Sequence, residues 1–415
     1  MRYHRPPRVK FCHWVSLIFF ICSIIVSGPV RAVAPSKPEL VAQAAALIDA
    51  DTGRLLYTKN PDLKLPVAST TKILTALLVL ERGSLTDKVT ISEKAAFQEG
   101  SSMYTSPGET YTVEELLYGL MLNSGNDAAL ALAEYVNENV ADFAEAMNER
   151  ARQLGALNTN FTNSSGLPDP DSYSTAKDMA LIARAAMARN DFREIAGTKE
   201  RYVPWPVKDT DKLLVNHNKL LWRYEGADGV KTGYTSEARQ CLVASASRQG
   251  RRLIAVVLKS EQESVWRDAQ LLLDWGFTNF YNRTLVSAGE TLDTVSVKKG
   301  QADEVEAVAK HDLLVTLDRE QEEIKTILEG VPSELEAPVD QGQPLGQAVF
   351  TAEETEIGRV PLLAGTAVPR VRKPWWFWLG LLILLRLIWL LIVRAKRRRR
   401  LRHPRWIYFR YRKPK

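Results

Sequence analysis

Ser69-Thr70-Thr71-Lys72-Ile73-Leu74-Thr75-Ala76-Leu77-Leu78-Val79-Leu80 is apolar on nearly every side once Lys72 is passed, so it reads as a helix buried all round. A lysine in such a helix demands an explanation. A serine hydroxyl is a weak nucleophile that needs an adjacent base, and a lysine can be that base only when burial or a neighbouring cation lowers its pKa. Residues three apart on a helix share a face, with β-carbons roughly 5–6 Å apart, so the Lys72 amine reaches the Ser69 oxygen while Thr70 and Thr71 point elsewhere. The start of a helix also favours negative charge developing at Ser69. The same spacing recurs at Ser174/Lys177 and Ser296/Lys299. The first begins an amphipathic helix, where its lysine reads as solvated. The second lies in an expected strand, where a three-residue offset puts the two side chains on opposite faces. Only the Ser69 helix is apolar enough to bury its lysine. The local alternative is Ser69 as a helix N-cap with Lys72 in water.

Two further motifs follow in order. Ser124-Gly125-Asn126 interrupts two helical stretches, and Lys231-Thr232-Gly233 lies on an expected strand after Gly229. S-x-x-K, S-D-N and K-T-G are the working set of β-lactamases and penicillin-binding proteins, and all three occur here with Gly125 in place of the Asp. Read singly, Ser124 and Asn126 could form an interhelical turn, and Thr232-Gly233 an ordinary strand end.

With these motifs in place the chain resembles the low-molecular-mass serine D-Ala-D-Ala carboxypeptidases of the penicillin-binding protein family, over roughly Val41 to Phe277 and including Lys231-Thr-Gly-Tyr-Thr-Ser-Glu-Ala238. The resemblance implies that Ser69 is acylated by the penultimate D-Ala carbonyl of a peptidoglycan stem pentapeptide, or by a β-lactam, with Lys72 taking its proton. It implies further that Ser124 and Asn126 line the cleft, relaying protons and holding substrate or Lys72. Lys231 adds positive field, Thr232 binds the terminal carboxylate, and Gly233 completes the motif. The backbone N–H groups of Ser69 and Tyr234 would hold the oxyanion. Arg239-Gln240 stands where relatives often carry glycine, and an arginine that assists carboxylate binding in some members has only Lys259 as a weak substitute. Two other functions stay open: a β-lactamase with fast deacylation, and a wall-binding scaffold with a vestigial site.

The surrounding pattern predicts an α/β (α+β) fold, with an antiparallel sheet flanked by helices and a helical subdomain. Ala44–Asp49 and Arg54–Thr58 flank the turn Asp51-Thr52-Gly53 as two strands. Thr112 and Glu115 form a capping-box signature ahead of a helix over 116–122, and further helices are expected over 127–136, 142–154 and 175–188. Strands follow over 230–235, 241–247 and 253–258, then a helix over 265–275. Short alternating runs from 284 to 369 predict a separate β-rich domain, leaving 35–283 as the catalytic domain.

At 415 residues with a formal charge of +6, the chain looks mildly basic, but its charges are segregated. Residues 35–369 hold 34 basic and 49 acidic residues, a formal charge of −15. Such a body lacks the basic footprint that nucleic-acid binding requires. Residues 1–34 carry Arg2, Arg5, Arg8 and Lys10, then an apolar run, then Ala32-Val33-Ala34. This is the order of a secretory signal peptide, cleaved after Ala32 or Ala34, with a retained membrane helix as the alternative. Residues 374–393 form an apolar span broken by Arg386, and 394–415 a basic tail that interleaves arginines with Trp406, Tyr408, Phe409 and Tyr411. The expected arrangement is one membrane crossing, with the body outside and the tail in the cytoplasm against anionic lipid headgroups. Outside the leader Cys241 is the one cysteine. It opens an apolar run and reads as a buried strand residue. The five histidines show no ligand-like spacing, so neither metal nor cofactor is expected.

Overall fold

The computed structural model describes Met1 and residues 36–137, 139–319, 323–372 and 374–400. The expected leader beyond Met1 and residues 401–415 of the expected tail lie outside the described residues. Two compact units divide between Arg283 and Thr284, except that 316–322 return to the first.

The first unit is built on a five-stranded antiparallel sheet, ordered Leu55–Lys59, Ala44–Asp49, Arg251–Ser260, Arg239–Arg248, Ala227–Thr235. Its three middle strands read as continuous apolar runs because both faces are covered. Along Ala44–Ile48 and Leu253–Leu258 the side chains alternate. Ala46, Ile48, Ile254 and Val256 face a core shared with the helices, and Ala45, Leu47, Ala255 and Val257 face the Ser264–Asn279 helix. Cys241 sits on the helical side, and burial raises its thiol to about 11. It is inert.

The helical subdomain gathers around Lys72–Arg82, in which every residue from Lys72 to Leu80 is buried. Each leucine so placed is worth about 1.5–3 kcal/mol. Thr112 caps the Val113–Leu122 helix with the anticipated reciprocal bonds to Glu115. Among the elements absent from the sequence reading are the strand pair Lys88–Thr90 with Thr110–Thr112, a helix over Asn190–Gly197, and a hairpin of Glu200–Trp205 with Thr210–Val215. The hairpin buries few apolar side chains, Val203 and Leu214 among them, so little apolar periodicity marks it.

Two buried carboxylates fasten the sheet. Asp268 accepts from the backbone N–H groups of Val41 (3.1 Å) and Ala42 (2.8 Å), fixing the first strand's approach. Asp49, fully buried, meets the Arg251 guanidinium at 2.7 Å and accepts from Asp51 and Thr52 N–H.

The second unit holds a six-stranded sheet in the order Ile324–Glu329, Pro344–Ala352, Thr355–Ala364, Glu304–Ala309, Thr291–Lys298, Glu334–Glu336. Its pairs are antiparallel save the last. A helix over Trp375–Arg400 follows, the one described helix long and apolar enough to cross a membrane.

Candidate active site

Ser69 does not open the α-helix. It sits in a 3₁₀ turn, Ala68–Thr71, that runs into the helix at Lys72. In a 3₁₀ turn side chains at i and i+3 eclipse, which aligns this pair more closely than an α-turn would. The Lys72 amine lies 3.0 Å from Ser69 Oγ and donates to Asn126 Oδ1 and the Ser165 carbonyl, each at 2.7 Å. Lys72 has no solvent exposure, whereas Ser69 is half-buried. Burial first, then the Lys231 cation, pushes the Lys72 amine well below its ordinary value, against a smaller opposing pull from Asp127.

This set of contacts fits a neutral amine. A neutral –NH₂ has two N–H donors and one lone pair. The Asn126 and Ser165 oxygens only accept; a charged Lys72 would give its third N–H to Ser69 Oγ, while the neutral amine that burial favours turns its lone pair to the Ser69 hydroxyl. Asn126 is itself held by Nδ2 donating to the Glu99 carbonyl at 2.6 Å.

Ser124 lies in left-handed backbone (φ +59°) between the two helices and is buried. Gly125 explains the departure from S-D-N: a β-carbon there would lie 2.7 Å from Asp127 Oδ1 and 3.2 Å from the Met103 nitrogen. The Asp127 carboxylate fills that space and accepts from Ser102 Oγ, Met103 N–H and Thr105 N–H. Lys212 of the hairpin secures the same loop from the other side, donating to the Met103 and Tyr104 carbonyls.

Lys231 is buried on the edge strand, its amine donating to the Thr232 carbonyl at 3.1 Å, and burial pushes it down to about 7. Gly233 abuts the nucleophile turn, where a β-carbon would lie 3.0 Å from both Ser69 N and Val67 O. Thr232 is half-buried and Tyr234 exposed. The other two Ser/Lys pairs lack this setting. Ser174 is buried against Thr159 while Lys177 is half-buried, and Ser296 and Lys299 are both exposed. Lys259 sits beside Cys241.

One participant and one neighbour of the site escaped the sequence reading. Ser165 contributes only a carbonyl, which no side-chain motif reveals. The signal was the turn Asn163-Ser-Ser-Gly166, in which Asn163 Oδ1 accepts from Ser165 and Gly166 N–H. His217, excluded earlier as a metal ligand, lies on a loop laced to the residues just before Ser124. Its N–H reaches the Leu122 carbonyl, and Val215 N–H reaches Asn123 Oδ1. Desolvation against the protein, then the Lys231 cation, hold its imidazole below the usual histidine range.

The sequence model of D-alanyl-D-alanine carboxypeptidases matches residues 31–262. The chain belongs to this family of serine peptidases. A second model, the C-terminal domain of penicillin-binding protein 5, matches residues 280–370. The carboxypeptidase DacF of Bacillus subtilis is 37% identical over 334 residues, 78% of this chain and 85% of its own length. DacA of Haemophilus influenzae is 35% identical over 342 residues, 79% of this chain and 85% of its own. Among solved structures, penicillin-binding protein 5 from Haemophilus influenzae superposes with a TM-score of 0.71 at 33% identity, covering 81% of this chain and all of that one. The likeness thus extends over the main sheets of both units.

Proposed function

We propose that this carboxypeptidase removes the terminal D-Ala from peptidoglycan stem pentapeptides through an ester on Ser69. The observation that carries the reading is the contact between Ser69 Oγ and a fully buried Lys72 amine, 3.0 Å apart, whose other two neighbours can only accept. Neutral Lys72 takes the hydroxyl proton as Ser69 attacks the penultimate D-Ala carbonyl. The backbone N–H groups of Ser69 and Tyr234 stabilise the oxyanion, an arrangement worth a few kcal/mol (about 2.7–4 per donor) in comparable hydrolases. The C–N bond breaks, the proton passes to the departing amine by way of Lys72 and Ser124, and D-Ala leaves. Water then attacks the ester, with Lys72 again as base. Lys231 and Thr232 hold the terminal carboxylate, and a β-lactam occupies the same position.

Product analysis with a synthetic stem pentapeptide tests the activity, and fluorescent penicillin tests the nucleophile. Labelling of Ser69→Ala at wild-type intensity would end the assignment. Rapid penicillin turnover in place of a lasting adduct would move it to a β-lactamase.

The enzyme is anchored by residues 374–393 as a single crossing, its body exported by the leader and its basic tail in the cytoplasm. The apolar Trp375–Arg400 helix supports this, together with the Arg394–Arg400 cluster that stays on the cytoplasmic side. Carbonate extraction should leave the protein in the membrane pellet.

A further inference from the structure

From Trp375 to Val393 every residue is apolar or glycine except Arg386. At about 1.5 Å per residue, its Cα lies about 16 Å from Trp375 and about 12 Å from Arg394. Neither interface is within easy reach. Side chains on a helix lean toward its N-terminus, so this guanidinium tilts away from the nearer interface, which the Arg394–Arg400 cluster also makes repulsive to it. Guanidinium does not shed its proton, and a charge at that depth is costly unless it snorkels, thins the bilayer or finds a partner; the lean of the side chain and the Arg394–Arg400 cluster disfavour the first. Residues 357–415 contain no Asp or Glu. A second copy of this helix would bring only another arginine.

The helix is also two-sided. At 100° per residue, Trp375, Trp378, Leu382, Arg386, Trp389 and Val393 fall on one stripe about 80° wide. The opposite stripe holds Phe377, Leu381, Leu384, Ile388 and Leu391, with no polar atom on any side chain. Trp389, one turn from Arg386, adds an indole N–H donor to the charged side, so both donors face the same way.

We propose that the Arg386 face of this helix docks a second membrane-spanning helix, from a different protein, that carries a mid-span aspartate or glutamate. The inference rests on the spanning reading above, and charge complementarity selects the occupant. The opposite face meets lipid.

Full-length protein carrying a donor fluorophore, reconstituted in phosphatidylcholine vesicles, is mixed with acceptor-labelled polyleucine spanning peptides bearing a central Asp or a central Leu. Energy transfer to the Asp peptide should exceed that to the Leu peptide roughly tenfold. Arg386→Leu should erase the difference, and Arg386→Asp should transfer its preference to an Arg-bearing peptide. Equal transfer to both peptides overturns the proposal. So does loss of Asp selectivity when phosphatidylglycerol is added, which would make lipid phosphate the counter-charge, and so does stronger transfer between two copies of the protein. Carbonate extraction separates the premises: release into the supernatant defeats the spanning reading, while retention without Asp selectivity defeats the docking alone. In native membranes, a photo-crosslinker at Leu382 should give an adduct with an acid-bearing spanning protein that a crosslinker at Leu384 does not give. A self-adduct at Leu382 would count against the proposal.

Discussion

The side-chain oxygen of Asn126 lies 2.7 Å from the amine of Lys72, and the amide nitrogen of the same residue is tied to the Glu99 carbonyl. Asn126 therefore orients Lys72 without charging it. An aspartate at 126 would place a carboxylate on the amine, raise its pKa and keep it protonated. For Asn126→Asp, the acid limb of penicillin acylation should move to higher pH, as measured by stopped-flow labelling across a pH series. An unmoved limb would dissociate Lys72 from that limb.

Lys231 exerts the opposite influence. Its cation lowers Lys72, so Lys231→Gln should raise the Lys72 pKa and shift the same limb upward, while Lys231→Arg should leave the limb in place. A limb that responds equally to both variants would remove charge as the cause.

Lys72→Ala deletes the base. Its acylation rate should fall by roughly 10²–10⁴, the range for general-base assistance. Its melting temperature should fall as well, because the truncation leaves the Asn126 and Ser165 oxygens without their donor and opens a cavity, so the rate is read below the variant's own melting transition. Acylation within twofold of wild type, by the same labelling assay, would contradict the mechanism.

The same linkage reaches stability. Lys231 sits near pKa 7 when folded and at 10.5 in the open chain. Between those values the unfolded state binds more protons, so its contribution to stability rises with pH across that window. Lys231→Met should flatten the pH dependence of the denaturation midpoint between pH 7 and 10.5.

Asp49 and Arg251 form a pair with Asp49 fully buried. Removing one partner leaves the other charge unmatched, a loss of about 3–5 kcal/mol. Asp49→Ala should show that loss in urea denaturation while the enzyme that remains folded still acylates penicillin.

What the sequence determined by itself was local. Lys72 on an apolar helix, the Thr112/Glu115 cap and the runs at 241–247 and 253–258 are legible because periodicity and capping act within a few residues. The weakly apolar hairpin at 200–215 left no such trace. Tertiary structure alone decided what Lys72 touches, since its acceptors lie 54 and 93 positions away in the chain. It also decided that the space beside Gly125 belongs to Asp127, and that His217 stands near Lys231. An amine's basicity depends on every dipole and charge packed around it, and only the folded chain brings those together.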